Sequence, residues 1–247
     1  MSKKKDSVRQ LPDWELVLSS TARLQRILPD AIGDTASAIH VEHRPSHDAD
    51  QVQSDLRERF DEVFAQLESV AGLKTARVKL PVQILGSLDG IETGVRQLIR
   101  DEPLETTMFV YRGQSITVPA ANEILRIKGV LILLRNATRD YLDFAALADR
   151  MGDENVALAF QHFDRLYPQS SGESSLQQLL IQLASPMPFD LEETELSEYQ
   201  NLIQHWKDWN SVKTLCSRFS IMIFDRVEEI VKKETEKREP PGKGSSG

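Results

Sequence analysis

The chain has 247 residues, 40% of them hydrophobic and 28% charged, with a formal net charge of −8. This length suits one large domain or a core with a smaller appended domain, and the acidic balance argues against a nucleic-acid binder with a broadly positive surface. The single cysteine, Cys216, excludes an internal disulfide, and no apolar run is long enough to cross a bilayer. We therefore predict a cytoplasmic protein without membrane contact.

The N-terminal part begins with a predicted helix over 14–28, where apolar residues recur at helical spacing before Pro29 and Asp30. A short strand over 31–33 follows. A second helix is predicted over 35–41, with Asp34 or Thr35 as its N-cap. The charged residues before these elements, 1–10, are expected to be disordered.

Residues 43–50, which read His-Arg-Pro-Ser-His-Asp-Ala-Asp, are the most informative stretch of the chain. In an extended strand Ser46, Asp48 and Asp50 would share one face, because successive side chains point to opposite sides. Two carboxylates spaced about 6 to 7 Å along a strand can converge on a hard cation such as Mg²⁺. The pattern predicts metal-dependent phosphoryl transfer.

The middle of the chain alternates helix and strand. Apolar spacing predicts a helix over 56–70 and strands over 76–78 and 82–85. The stretch 106–118 is typical of a hairpin whose turn contains Gly113.

After Pro119 the sequence predicts only helices, over 122–134, 139–150, 154–166, 174–183, 197–203 and 211–233. The fold class is therefore α+β followed by a helical C-terminal region. The predicted organisation is a disordered N-terminus over 1–10, an α+β core over 11–119, a helical region over 120–233 and a disordered tail over 234–247.

A second group of charges lies in the helix–turn–helix after Pro119. Lys128 and Arg135 are two helical turns apart, and Arg139, Asp140 and Asp143 open the next helix among apolar residues. Charges beside an apolar surface are seldom left unpaired, because an unpaired buried charge is costly. These residues either form ion pairs that clamp the two helices or face a ligand.

Lys128 favours the ligand interpretation. Gly129 beside it is small enough to leave room for a ligand, and an ammonium group is a usual contact of phosphate.

In this order and at this distance, the two motifs resemble the nucleotidyltransferase family of abortive-infection toxins, the AbiEii/AbiGii-like toxins of type IV toxin–antitoxin systems. The resemblance covers roughly residues 11–167. The matching residues are Gly33-Asp34-Thr35-Ala36, the stretch 43–50, Lys128, Arg135 and the stretch 139–143.

The resemblance implies a nucleotidyltransferase-like fold, with a small mixed sheet and helices followed by a helical region. It also implies transfer of a nucleoside monophosphate from a nucleoside triphosphate, with Mg²⁺ or Mn²⁺ as cofactor, to an RNA such as a tRNA end or to a protein. A cognate antitoxin is a candidate partner. The implied catalytic residues are Asp48, Asp50, Lys128 and Asp140, with Asp48 and Asp50 as metal ligands. The implied nucleotide or phosphate contacts are Gly33, Thr35, Ser46, Arg135 and Arg139.

Two positions depart from the family pattern. Asp34 stands where the family has glycine, and the predicted strand over 82–85 offers Gln83 but no third carboxylate. Asp89, Glu92 and Glu105 could supply one only if nearby loops fold back. The alternative function is therefore a catalytically degenerate nucleotidyltransferase-fold protein that binds a nucleotide or an antitoxin.

The histidines define a second enzymatic alternative. His40, His43 and His47 lie within eight residues, next to Asp48 and Asp50, and this grouping is also typical of a transition-metal hydrolase site. The strand pattern disfavours it, because His47 would lie on the face opposite the acids.

Overall fold

The computed structural model describes residues 14–33, 40, 48–194, 196 and 202–238. It is an α+β structure with a small mixed sheet, a separate two-stranded hairpin and many helices. The described residues fall into two compact units. The first unit takes in 14–33, 48–99 and 106–118, and the second takes in residue 40, 100–105 and the described residues from 119 onwards.

The first unit combines two helices with seven strands. Its elements are α1 (Trp14–Ile27), β1 (Ile32–Gly33), β2 (Asp48–Gln53), α2 (Phe60–Glu68), β3 (Leu73–Lys79), β4 (Gln83–Leu88), β5 (Ile91–Gln97), β6 (Thr106–Tyr111) and β7 (Gln114–Pro119). The predicted helix over 56–70 is confirmed but begins later, at Phe60. The predicted hairpin over 106–118 is β6 and β7, with Arg112 and Gly113 at positive φ in its turn.

Five of these strands form one sheet in the order β1-β2-β5-β4-β3. β2 and β5 run parallel, and the other neighbours are antiparallel. One face of the sheet packs against α1 and α2, because alternate strand residues are apolar. The buried residues of this core are Val17, Leu24, Leu28, Ala31, Ala49, Leu56, Phe60, Val63, Leu67, Ile84, Leu88, Ile91 and Val95.

Strand β5 was not predicted from the sequence, and its position changes the candidate site. It follows β4 through a two-residue turn in which Asp89 (φ 51) and Gly90 (φ 88) both have positive φ. This Asp-Gly dipeptide is a strong hairpin signal when alternating apolar residues flank it, as Leu88 and Ile91 do here.

From residue 120 onwards, the described part of the second unit consists of helices joined by loops. Its helices are α3 (Ala121–Arg135), α4 (Thr138–Met151), α5 (Asp153–Phe160), α6 (Phe163–Leu166), α7 (Ser175–Ala184) and α8 (Trp209–Arg238), with a 3₁₀ turn at Gln204–Lys207. The helix predicted over 154–166 is two helices, α5 and α6. Helix α8 extends to Arg238, past residue 234, where the predicted tail begins. None of the helices in the described ranges is both long and apolar enough to cross a bilayer.

A buried charge network ties residues 100–105 to the helices of this unit. Arg100 donates to both carboxylate oxygens of Glu123, at 2.9 and 2.8 Å, and Arg126 donates to Glu123 at 3.0 Å. All three side chains are almost fully buried. Each donor and acceptor has a partner, as burial of charge requires.

Candidate functional site

Asp48 and Asp50 lie on β2 and point away from the apolar core. Ala49 between them is fully buried in that core. Because strand side chains alternate, the two acids share the opposite face of the sheet, which we call the polar face. From Asp48 onwards the predicted strand is therefore present, and it places Asp48 and Asp50 on one face.

A third carboxylate lies on the neighbouring strand. In the parallel pairing of β2 with β5, Glu92 is directly opposite Asp48, and Gly94 is opposite Asp50. Glu92 thus belongs to the polar face. The other two acids considered from sequence lie elsewhere: Asp89 forms an ion pair with Arg23, and Glu105 forms one with Arg126.

Asp50 is the most buried acid of this group. Its side chain is only 14% exposed, and burial raises its pKa above the ordinary value. The guanidinium of Arg96 opposes this effect, donating to Oδ2 of Asp50 from Nη2 at 2.9 Å and from Nε at 3.2 Å. The like charges of Asp48 and Glu92 raise the pKa of Asp50 further. The three carboxylates therefore interact electrostatically.

Gly94 makes room for this arrangement. A Cβ at this position would lie 2.5 Å from Cδ2 of Leu85 and 3.1 Å from Oδ1 of Asp50. The first distance is shorter than real Cβ contacts allow. The Leu85 side chain could move away, but a Cβ would also lie 3.0 Å from the carbonyl oxygen of Ile84, so glycine avoids crowding where the Asp50 carboxylate lies over β5.

A basic row lies at the far edge of the polar face. Strand register places Lys74, Arg77 and Lys79 of β3 on this face, across β4 from β5. All three side chains are exposed. Within the described ranges, no carboxylate forms an ion pair with them. We call these three residues the β3 basic row.

The residues of β4 that separate this row from the acids carry no charge. They are Gln83, Leu85 and Ser87. The polar face thus has an acidic side, a neutral strip and a basic edge.

The charged residues predicted near the turn after α3 form ion pairs within the second unit. Arg135 donates from Nε and Nη2 to Asp140 at 2.5 and 2.7 Å, and Nζ of Lys128 lies 2.9 Å from Asp143. Asp140 and Asp143 have side chains fully removed from solvent. Arg139 is exposed. The interpretation as a clamp between α3 and α4 thus fits Arg135 and Lys128.

The space predicted beside Lys128 is absent. A Cβ on Gly129 would lie 2.8 Å from Cδ2 of Leu179 and 3.3 Å from Cε1 of Phe160. The glycine permits close helix packing, and the side chains of Leu179 and Phe160 fill the space beside it. The side chain of Lys128 itself is 12% exposed.

Gly33 is also explained by packing. It is buried on β1, and a Cβ there would lie 3.0 Å from Cγ2 of Thr21 on α1. The other predicted phosphate contacts, Thr35 and Ser46, and the departure at Asp34 lie outside the described residues.

The histidine alternative gains no support in the described part of the chain. Nε2 of His40 lies 2.8 Å from the carbonyl oxygen of Pro119, and His43 and His47 are outside the described residues. Among the residues described, no three acidic, histidine or cysteine side chains are gathered closely enough to hold a metal ion.

The predicted site residues are thus divided between the two units. Asp48 and Asp50 lie in the first unit, where Glu92 and Arg96 join them. Lys128, Arg135, Arg139 and Asp140 lie in the second. The sequence signal that could have identified Glu92 was the Asp-Gly turn that begins β5.

The fold and site define an α+β protein with interacting carboxylates on the polar face of a mixed sheet. No protein-family model matches the chain. The chain is 31% identical over 208 residues to the Heme uptake protein MmpL11 of Mycobacterium tuberculosis, covering 72% of this chain and 20% of that protein. The Mycolic acid-containing lipids exporter MmpL11 of Mycolicibacterium smegmatis is 31% identical over 132 residues, covering 52% of this chain and 13% of that protein.

The chain therefore spans about a fifth of the length, or less, of these curated relatives. Among solved structures, an antigenic nucleotidyltransferase-like protein from Paracoccidioides brasiliensis aligns with a TM-score of 0.42 and 17% identity. The alignment covers 66% of this chain and 92% of that one.

Proposed function

We propose that the protein is a nucleotidyltransferase that depends on a divalent cation and transfers a nucleoside monophosphate from a nucleoside triphosphate. The observation that carries the proposal is that Asp48 and Asp50 share the polar face of β2, with Glu92 opposite Asp48 on the neighbouring strand. A cation bound between these carboxylates would offset the repulsion between their negative charges. Oxygen donors of this kind suit Mg²⁺ or Mn²⁺.

Each acid has a distinct role in the proposed reaction. Asp48 and Asp50 would hold the cation, which supplies positive charge to the triphosphate and to the leaving pyrophosphate. Glu92, exposed on β5, would accept the proton of the attacking hydroxyl. The bond between the acceptor oxygen and the α-phosphorus forms as the bond from that phosphorus to pyrophosphate breaks.

The family resemblance also implies cationic contacts of the triphosphate. Lys128 and Arg135 are the proposed cationic residues, and exposed Arg139 is a further proposed phosphate contact. Asp140 acts through Arg135, because its two hydrogen bonds fix the guanidinium in one orientation. The proposal includes a toxin-like activity that a cognate antitoxin restrains.

The β3 basic row favours RNA over protein as the acceptor. It lies two strand spacings from β5, or about 10 Å, on the same face as the acids. A nucleic-acid backbone carries regularly spaced negative charge, which exposed Lys and Arg side chains bind. The overall charge of −8 does not oppose this, since the row is locally basic.

The test is transfer of label from each α-labelled nucleoside triphosphate to total RNA with Mg²⁺ or Mn²⁺. Asp48→Asn, Asp50→Asn and Glu92→Gln should each reduce transfer by about a hundredfold or more, because charge stabilisation in the transition state is lost. Asp61→Asn is the matched control, since Asp61 is an exposed acid on α2. Transfer that persists in both Asp48→Asn and Asp50→Asn would contradict the proposal.

A degenerate binding module is the second candidate. Two observations favour it: the ion pairs that already neutralise Lys128 and Arg135, and the likeness to part of transport proteins. Such a module would bind a nucleotide, an antitoxin or a transporter without chemistry. Calorimetric binding of a nucleoside triphosphate, with no transfer to RNA or to protein, would distinguish it from the enzyme.

A further inference from the structure

Arg96 occupies an unusual position among the acids of the polar face. It lies two residues after Gly94 on β5, so its side chain belongs to the same face as Asp50 and Glu92. Both of its hydrogen bonds to Asp50 end on the same oxygen, Oδ2. The Arg96 side chain is 44% exposed, whereas that of Asp50 is 14% exposed.

These contacts make the Arg96 guanidinium compete with a metal cation for binding to Asp50. Arg96 supplies one positive charge to Asp50, beside Asp48 and Glu92. A divalent cation bound by the same carboxylates would repel the guanidinium at short range. The two cations therefore cannot both bind Asp50 at full strength.

Arg96 can leave Asp50 without a change in the backbone. The residues opposite it in the sheet are Val52 and Gln83, neither of which is charged. Its long side chain is nearly half exposed, so rotation about its side-chain bonds moves the guanidinium into solvent. Once free, this planar group of hydrogen-bond donors suits a phosphate better than any other side chain nearby on the strand.

We propose that Arg96 holds Asp50 until the cation and nucleoside triphosphate arrive, and then moves from Asp50 to the triphosphate. This inference rests on the proposed function and extends it. Arg96 thereby becomes a nucleotide-binding residue that the sequence motifs do not include. It also lowers the affinity of the acids for a cation that arrives without nucleotide.

The test compares two affinities of the whole 247-residue chain. Electron paramagnetic resonance measures the affinity for Mn²⁺ alone. Calorimetry measures the affinity for a non-hydrolysable triphosphate analogue in the presence of Mn²⁺. In Arg96→Gln, Mn²⁺ alone should bind about fivefold more tightly, because the competing charge is gone. The triphosphate analogue should bind about tenfold more weakly, because a charge-assisted contact is lost. Arg96→Lys should lie between the two proteins in both measurements.

Arg26→Gln is the matched control, since Arg26 is an exposed arginine on α1, outside the polar face, and should leave both affinities unchanged. A role limited to holding Asp50 in place would weaken both affinities in Arg96→Gln, and that result would overturn the inference. Unchanged affinities would overturn it as well.

Failure of the proposed function looks different. Mn²⁺ affinity that is the same in Asp48→Asn and Asp50→Asn as in the unmodified protein would count against the acidic site itself. Loss of Mn²⁺ binding in those variants, with no effect of Arg96→Gln, overturns only the role of Arg96.

Discussion

At the scale of single residues, Arg135 and Asp140 form a pair whose members are unequally buried. Asp140 is fully removed from solvent, whereas the side chain of Arg135 is 36% exposed. Loss of Arg135 leaves a buried carboxylate without its two guanidinium hydrogen bonds. We therefore expect Arg135→Ala to lower the free energy of unfolding by about 3 kcal/mol.

Urea denaturation of the purified variant checks this value. Arg139→Ala is the control, because Arg139 is a nearby exposed arginine at the start of α4, and its replacement should change the free energy of unfolding by less than about 0.5 kcal/mol. Equal effects of the two substitutions would show that the buried pair contributes nothing beyond an exposed charge.

At the scale of elements, strand β3 concentrates the positive charge of the polar face. Reversal of Lys74, Arg77 and Lys79 to glutamate should weaken RNA binding by about a hundredfold and flatten its salt dependence, because three phosphate contacts are lost. Affinity for the triphosphate analogue should stay the same. Filter binding at several salt concentrations measures the RNA affinity and its salt dependence. A salt dependence that is unchanged in the triple variant would exclude the β3 basic row as the RNA-binding surface.

The elements also show which parts of the site could be predicted. Asp48 and Asp50 were placed on one strand face because an alternating pattern depends only on local geometry. Strand β5 escaped prediction because Glu92, Gly94 and Arg96 leave it few apolar residues, although the Asp-Gly turn before it was a usable signal.

The interpretation of Gly129 failed for a different reason. A glycine in the sequence indicates that space is needed, but the atoms that fill the space come from the tertiary fold. Here they belong to Leu179, fifty residues away along the chain, and to Phe160. The ion pairs of the same helix could be anticipated, because charges beside an apolar surface require partners.

At the scale of the whole molecule, Tyr167 links stability to alkaline pH. Burial raises the pKa of Tyr167 to about 12, and the nearby charge of Glu123 raises it as well. The unfolded chain therefore releases this proton near its ordinary pKa, while the folded protein still holds it. The free energy of unfolding should fall as pH rises from about 10 towards 12.

Urea denaturation at several pH values between 9 and about 11.5 measures this slope. In Tyr167→Phe the fall should be smaller, since the residue no longer ionises, while Tyr141 retains its own raised pKa. Identical slopes in the two proteins would contradict the assignment to Tyr167.

The parallel pairing of β2 with β5 has a consequence for how the site assembles. More than forty residues separate Asp48 from Glu92, whereas β4 and β5 are joined by a two-residue turn. Local hairpins close early in folding, and pairings between distant segments close late. Glu92 therefore reaches Asp48 and Asp50 only when β2 pairs with the preformed hairpin of β4 and β5. Repulsion between the three carboxylates opposes this last step. The concentrated negative charge of the site therefore forms only after most of the sheet has folded.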